Sequence, residues 1–200
     1  MKKMFLLPVI ALLVIQVSCN KQPEKVTELK KDSSVIEKTP PVSTSEFSKE
    51  LKFNNYSFTI AAKDGVLTLT PSGLTNDNMP LTKNFTGTIT NVEVDDINGD
   101  NAPEVFVYFS DGDDKKGSLA AYSSNAGKSM SEVSFPEMDA KSKEGYKGYD
   151  EFAMVENSFV QRFPIFDAQG KKTGKTRQIQ YKLKDGEAMR ALVLDKVVEY

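Results

Sequence analysis

The sequence predicts an all-β domain, an antiparallel β-sandwich or flattened barrel of about nine strands, behind a signal segment and a polar tether. Three observations predict it. From about residue 48 onward apolar and polar residues alternate with a period of two in run after run, turn-forming residues separate most runs, and only one short stretch resembles a helix.

The first expected strand, Phe53 to Ala61, precedes Asp64-Gly65, a two-residue hairpin signal that leads into Val66 to Thr70. Gly87 to Val94 and Glu104 to Phe109 flank an acidic loop. Val105, Val107 and Phe109 share one face of the second of these strands and Phe106 and Tyr108 the other, so it should be central and covered on both sides. Leu119 to Ser123 follows. Glu137 to Glu144, ahead of Gly145 and Gly148, is the one candidate helix, a short connector. Glu151 to Glu156, Phe159 to Phe166 and Arg177 to Leu183 come next. In the last of these Ile179, Tyr181 and Leu183 should point inward, and Gln178, Gln180 and Lys182 should face water. Asp185-Gly186 reads as a second hairpin turn before Met189 to Tyr200. There is no internal repeat, phosphate-binding glycine loop or heptad run.

Residues 1–18 have the anatomy of an export signal: Lys2 and Lys3, an apolar run from Phe5 to Ile15, and Ser18 before Cys19. That run is shorter than the roughly 20 apolar residues a membrane span needs. Cys19, the sole cysteine, stands where a bacterial lipoprotein carries its lipid, although Gln16 replaces the usual Leu three residues earlier. Cys19 is the expected lipidation site and membrane link, the alternative being an ordinary cleavage site and a secreted, unanchored protein. The expected location is the cell envelope, at an outer membrane facing the periplasm or the cell surface. Residues 19–47 form the linker. Between Asn20 and Ser45 only Val26, Leu29, Val35, Ile36 and Val42 are apolar, too little to offset the entropy of ordering, so a flexible tether is expected, with a short amphipathic helix over residues 24 to 38 as the competing reading. Such a chain spans about 25 to 30 Å root-mean-square. Residues 48–200 are the domain.

The chain has no His, no Trp and one Cys. Ser-His-Asp and Cys-His relays, His metal sites and disulfide frameworks are therefore excluded, and no pair of carboxylates is set for glycoside hydrolysis. Any enzyme here would have to work with carboxylates, Lys or Tyr. With 26 basic against 28 acidic residues, and Lys2 and Lys3 in the signal, the surface is mildly acidic and no nucleic-acid partner is expected.

Two loops carry chemistry. In Asp95 to Glu104, oxygen-bearing side chains at Asp96, Asn98, Asp100 and Glu104 have the spacing with which a tight loop wraps Ca2+, as in the calcium loops of integrin-type propeller repeats. The alternative is a plain turn at Asn98-Gly99 with acidic turn formers, and that is the favoured reading. No other cofactor is expected. The second loop, Ser110-Asp111-Gly112-Asp113-Asp114-Lys115-Lys116-Gly117-Ser118, is polar and set between apolar strands, a good position for binding.

Several blocks in order, VEVDDINGDNAPEVFVYF, SLAAYSSNAGKSMSEVSFPEM, GYKGYDEFAMVENSFVQRFPIF, TRQIQYKL and LDKVVEY, resemble the periplasmic inhibitors of invertebrate-type (I-type) lysozyme, the PliI family. The resemblance covers about residues 55 to 200. It implies a β-sandwich whose protruding loop blocks the muramidase cleft, protecting the envelope from a host or competitor lysozyme, and some relatives form homodimers. By the flanking strands, the inhibitory loop is Ser110 to Ser118. Where the family has Ser-Gly-x-Tyr this chain has Asp113, Asp114 and Lys116, and Tyr149 stands where His is frequent. Lys115 or Lys116 would reach the lysozyme carboxylates as charge-assisted donors, whereas Asp113 and Asp114 would meet like charge.

Overall fold

The computed structural model describes residues 46–200. The expected signal segment, Cys19 and nearly all of the tether lie outside the described residues. The tether's expected end at residue 47 already belongs to a strand.

The described chain is all-β, with twelve strands in three antiparallel sheets of four. The first sheet contains β1 (Phe47–Phe53), β2 (Tyr56–Lys63), β3 (Val66–Ser72) and β4 (Leu81–Asn84), side by side in that order. The second, called the middle sheet below, contains β5 (Thr88–Asp95), β6 (Glu104–Asp111), β7 (Lys116–Ser124) and β8 (Met130–Glu132). The third runs in the order β12-β11-β10-β9, from β9 (Glu151–Val155), β10 (Ser158–Phe166), β11 (Lys172–Lys184) and β12 (Ala191–Glu199).

All nine expected strands are present, and β1, β4 and β8 are additional. Asp64-Gly65 makes the two-residue turn expected of it, with both residues at positive φ and Lys63 opposite Val66. Asn54-Asn55 makes another between β1 and β2, inside a stretch that reads as the start of one strand. Asp185-Gly186 does not make a hairpin turn. Lys184 pairs with Ala191, so residues 185–190 form a longer loop, and Met189 lies in it and not in a strand. Nor is there a helix over Glu137 to Glu144. Asp139 caps a succession of turns, accepting from Ser142 N at 2.8 Å and Ser142 Oγ at 2.9 Å, and Arg177 Nη1 binds the carbonyls of Ser142 and Glu144. A short carboxylate side chain that competes for backbone N–H groups favours turns over helix.

Two cores follow from one strand. Val105, Val107 and Phe109 pack against Phe58, Ile60 and Leu69 of the first sheet. Phe106 and Tyr108, one residue out of phase, pack against Phe159, Ile179 and Tyr181 of the third. The middle sheet is thus apolar on both faces, which is why β6 reads as an almost unbroken apolar run. Gln178, Gln180 and Lys182 are half-buried, not fully in water.

Neighbouring contacts fix one end of this stack. Glu46 pairs with Lys63, Phe85 N donates to Gly65 O at 2.9 Å, Phe85 stacks on Phe109 at 4.7 Å, and Thr86 Oγ1 donates to Asp111 at 3.0 Å. The β6–β7 hairpin projects from that end.

Candidate functional site

The loop expected over Ser110 to Ser118 is a tighter object in the structure. Ser110 and Asp111 belong to β6, and Lys116, Gly117 and Ser118 to β7, with Asp111 opposite Lys116, so only Gly112 to Lys115 turns. Asp113 and Asp114 sit in that turn. The ladder continues because Ser110 and Gly117 still find each other across the pair, although neither is apolar. Gly112 (φ 70°) and Lys115 (φ 48°) take left-handed conformations, and Lys115 N donates to Gly112 O at 3.2 Å.

A second segment clamps the hairpin. Tyr149 N donates to Asp114 O at 2.7 Å, and Asp150 N to Lys115 O at 3.3 Å. Gly117 N donates to the Asp150 carboxylate at 2.7 Å. That carboxylate also receives Tyr146 Oη at 2.5 Å and Gln161 Nε2 at 2.7 Å, and Tyr181 Oη donates to Gln161 Oε1 at 3.2 Å. Burial, and then the bond to Asp150, push the Tyr146 hydroxyl well above the usual tyrosine range, so it stays a neutral donor. Gly148 (φ 88°) lets the clamp lie flat on the turn, since a Cβ there would stand 2.2 Å from Asp114 O. Five residues of this clamp, Tyr146, Gly148, Tyr149, Asp150 and Gln161, are not evident from the hairpin's own sequence. The spaced glycines Gly145 and Gly148 are the signal, and they mark close approach and turning.

The charges of the turn are now sorted. Lys116 Nζ pairs with Asp114 at 3.1 Å and Asp111 receives Thr86, which leaves Asp113 and Lys115 with no ion pair among the described residues. Beside Lys115 the Tyr149 ring stacks on Phe166 at 5.9 Å, and Lys172 Nζ stands 4.8 Å from its centroid. The hairpin therefore presents one acidic and one basic side chain at its tip, on a backbone fixed from the side.

Asp96, Asn98 and Asp100 share the loop from Asp96 to Pro103 between β5 and β6, and Glu104 opens β6, turned inward to Ile97 N and Ser123 Oγ. Asp95 pairs with Glu104, so the loop is longer than a two-residue Asn98-Gly99 turn. Its oxygens are occupied from within. Asp96 accepts from Gly99, Asp100 and Asn101 N, and Asp100 from Ala102 N. Glu104 is fully buried and accepts from Ile97 N and Ser123 Oγ. Burial raises its pKa from 4.5 to about 7. Arg190, from the loop before β12, donates to Asp100 at 2.9 Å and lies 3.6 Å from Glu104. A guanidinium already fills the electrostatic place of a cation, and among the described residues no group of three or more acidic, His or Cys side chains is set to hold a metal.

Arg162 Nε donates to Gln178 Oε1 at 2.7 Å across β10 and β11. Phe159 and Phe163 are core residues with Phe152 and Met154 packed against them, whereas Phe166 is the shelf for Tyr149.

In the comparisons with known proteins, no family model, curated protein or solved structure matches the chain.

Proposed function

We propose that the protein is a lipid-anchored inhibitor of I-type lysozyme, and that the β6–β7 hairpin blocks the muramidase cleft. The observation that carries this reading is the clamp. The block GYKGYDEF, one of those in which the sequence resembles the PliI family, lies against the hairpin and fixes it through Tyr149 N, Asp150 N and the Asp150 carboxylate. A hairpin ordered before it meets its target pays little entropy on binding, which suits a plug. Lys115 is the group that would meet a catalytic carboxylate, because Lys116 is engaged by Asp114. Within the reading the domain is a β-sandwich elaborated to three layers, anchored through Cys19 in the cell envelope, and it is not an enzyme.

The test is titration of the purified protein against an invertebrate-type lysozyme, with a chicken-type enzyme as control. Selective inhibition is expected, and Lys115→Glu should weaken it by about tenfold or more. Absence of inhibition, or inhibition indifferent to Lys115→Glu, would overturn the proposal. A second reading, the same scaffold with another binding partner, is favoured by the three departures at Asp113, Asp114 and Lys116, and would be the one left standing.

A further inference from the structure

We propose that the outer face of the third sheet is a docking surface for an anionic lipid bilayer, held by four basic side chains with apolar ones beside them. The inference does not depend on what the hairpin tip binds.

Strand pairing sorts the side chains of this sheet. Residues opposite one another in an antiparallel pair share a face, and neighbours along a strand point apart. Phe159 lies opposite Met154 and Tyr181, and Leu183 opposite Leu192, all turned into the core shared with the middle sheet. The residues out of phase with these face the other way. On β11 the outward positions are Gln178, Gln180, Lys182 and Lys184. Arg162 lies across from the first and Lys196 across from the second, so each of four successive rungs carries one basic group. Such rungs are about 7 Å apart, which gathers the four charges into a strip about 20 Å long.

These charges are not spent inside the protein. Among the described residues none of the four joins an ion pair. Arg162 and Lys182 donate to neutral acceptors, the Gln178 side chain and the Asn157 carbonyl. Carboxylates are scarce nearby. Glu151, across from Arg162, is the one acid in these rows, Asp195 is the extra residue of the β12 bulge, and Glu199 faces inward to pair with Arg177. A chain with 28 acidic and 26 basic residues thus sets four bases against one acid on this face. Charge complementarity calls for an anionic partner.

The apolar neighbours decide which anionic partner. Val155 and Val193, on the rung of Lys182, are 40% and 47% exposed. Tyr200, whose backbone pairs with Thr176 next to the strip, is 65% exposed. A soluble polyanion would satisfy the bases and leave these side chains in water. The surface of a bilayer takes both, with phosphates for the bases and the acyl boundary for valine and tyrosine. Docked in this way the domain rests on its third sheet, and the middle sheet that carries the hairpin stands about 10 Å further out.

The probe is co-sedimentation of the whole protein with vesicles, comparing phosphatidylcholine alone with phosphatidylcholine containing phosphatidylglycerol. Binding to the anionic vesicles is expected, and it should weaken as salt is raised. Lys182→Gln, Lys184→Gln and Lys196→Gln combined should weaken it about tenfold or more. Lys52→Gln, Lys63→Gln and Lys128→Gln combined remove the same number of charges from exposed lysines outside the third sheet, and should change binding by less than about twofold. Val193→Ser with Tyr200→Ser should weaken vesicle binding about threefold or more. Absence of binding to anionic vesicles, or binding that the two lysine triples weaken alike or that neither changes, would overturn the proposal. Indifference to the Val193 and Tyr200 changes would also overturn it, and would assign the face to a soluble polyanion.

Discussion

Glu104 ties the stability of the fold to pH. It is fully buried, and burial raises its pKa from 4.5 to about 7 despite donors from Ile97 and Ser123. The folded state therefore binds this proton more tightly than the unfolded state does. Its contribution is complete below about pH 4.5 and is lost as pH rises through about 7, a difference of about 3 kcal/mol. Urea unfolding at about pH 5 and about pH 8 should show the wild type losing stability across that interval and Glu104→Gln, which cannot titrate there, losing much less. Equal slopes for the two proteins would contradict the assignment. Glu104 was legible in the sequence as an oxygen donor in a calcium-like series. Its burial was not, because Ser123 and Arg190 lie 19 and 86 positions further along the chain and no local spacing announces them.

Among the elements, the hairpin and its clamp form one unit. Gly148→Ala forces a Cβ to 2.2 Å from Asp114 O at a position with φ 88°, which a side chain tolerates poorly. The expected cost is about 1 to 3 kcal/mol in urea unfolding, with faster amide exchange at Lys115 and Asp150 than elsewhere in the sheets. Uniform exchange changes would mean that the clamp does not hold the turn. β11 was legible because inward and outward residues alternate from Thr176 to Leu183, and β6 because it is an almost unbroken apolar run between turn-forming loops. β4 and β8, at four and three residues, are too short to show a period. β1 alternates well enough, with Phe47, Leu51 and Phe53 on one face, but its Lys and Glu residues blend into the tether before it. Turns divided similarly. Asp64-Gly65 has a strand at each side to close upon, whereas Asp185-Gly186 is overruled by Arg190, which binds Asp185, Asp100 and Ser124 and holds the longer loop open.

For the molecule as a whole, β6 belongs to both cores. Val107→Ala empties space on one side of the middle sheet and Phe106→Ala on the other, at costs of about 1 to 3 and about 3 to 5 kcal/mol respectively. Because the same backbone carries both losses, each variant should unfold in a single transition that coincides by far-ultraviolet circular dichroism and by tyrosine fluorescence. Two separated transitions would mean that the layers are independent. The expectation of an all-β antiparallel domain held, with twelve strands in three sheets in place of about nine. The third layer required knowing that both faces of β6 are covered by different sheets, which its sequence hints at without saying by what. The end of the stack where Glu46 pairs with Lys63 is also the end from which the hairpin projects. Tension arriving through the backbone at Phe47 would act on the open end of the β1–β2 ladder and part its pairs one at a time from Phe47 and Ala62, not all together. Under mechanical load β1 would peel while β6, in the middle layer, still held the hairpin, so the first sheet would yield as a fuse before the hairpin end was disturbed.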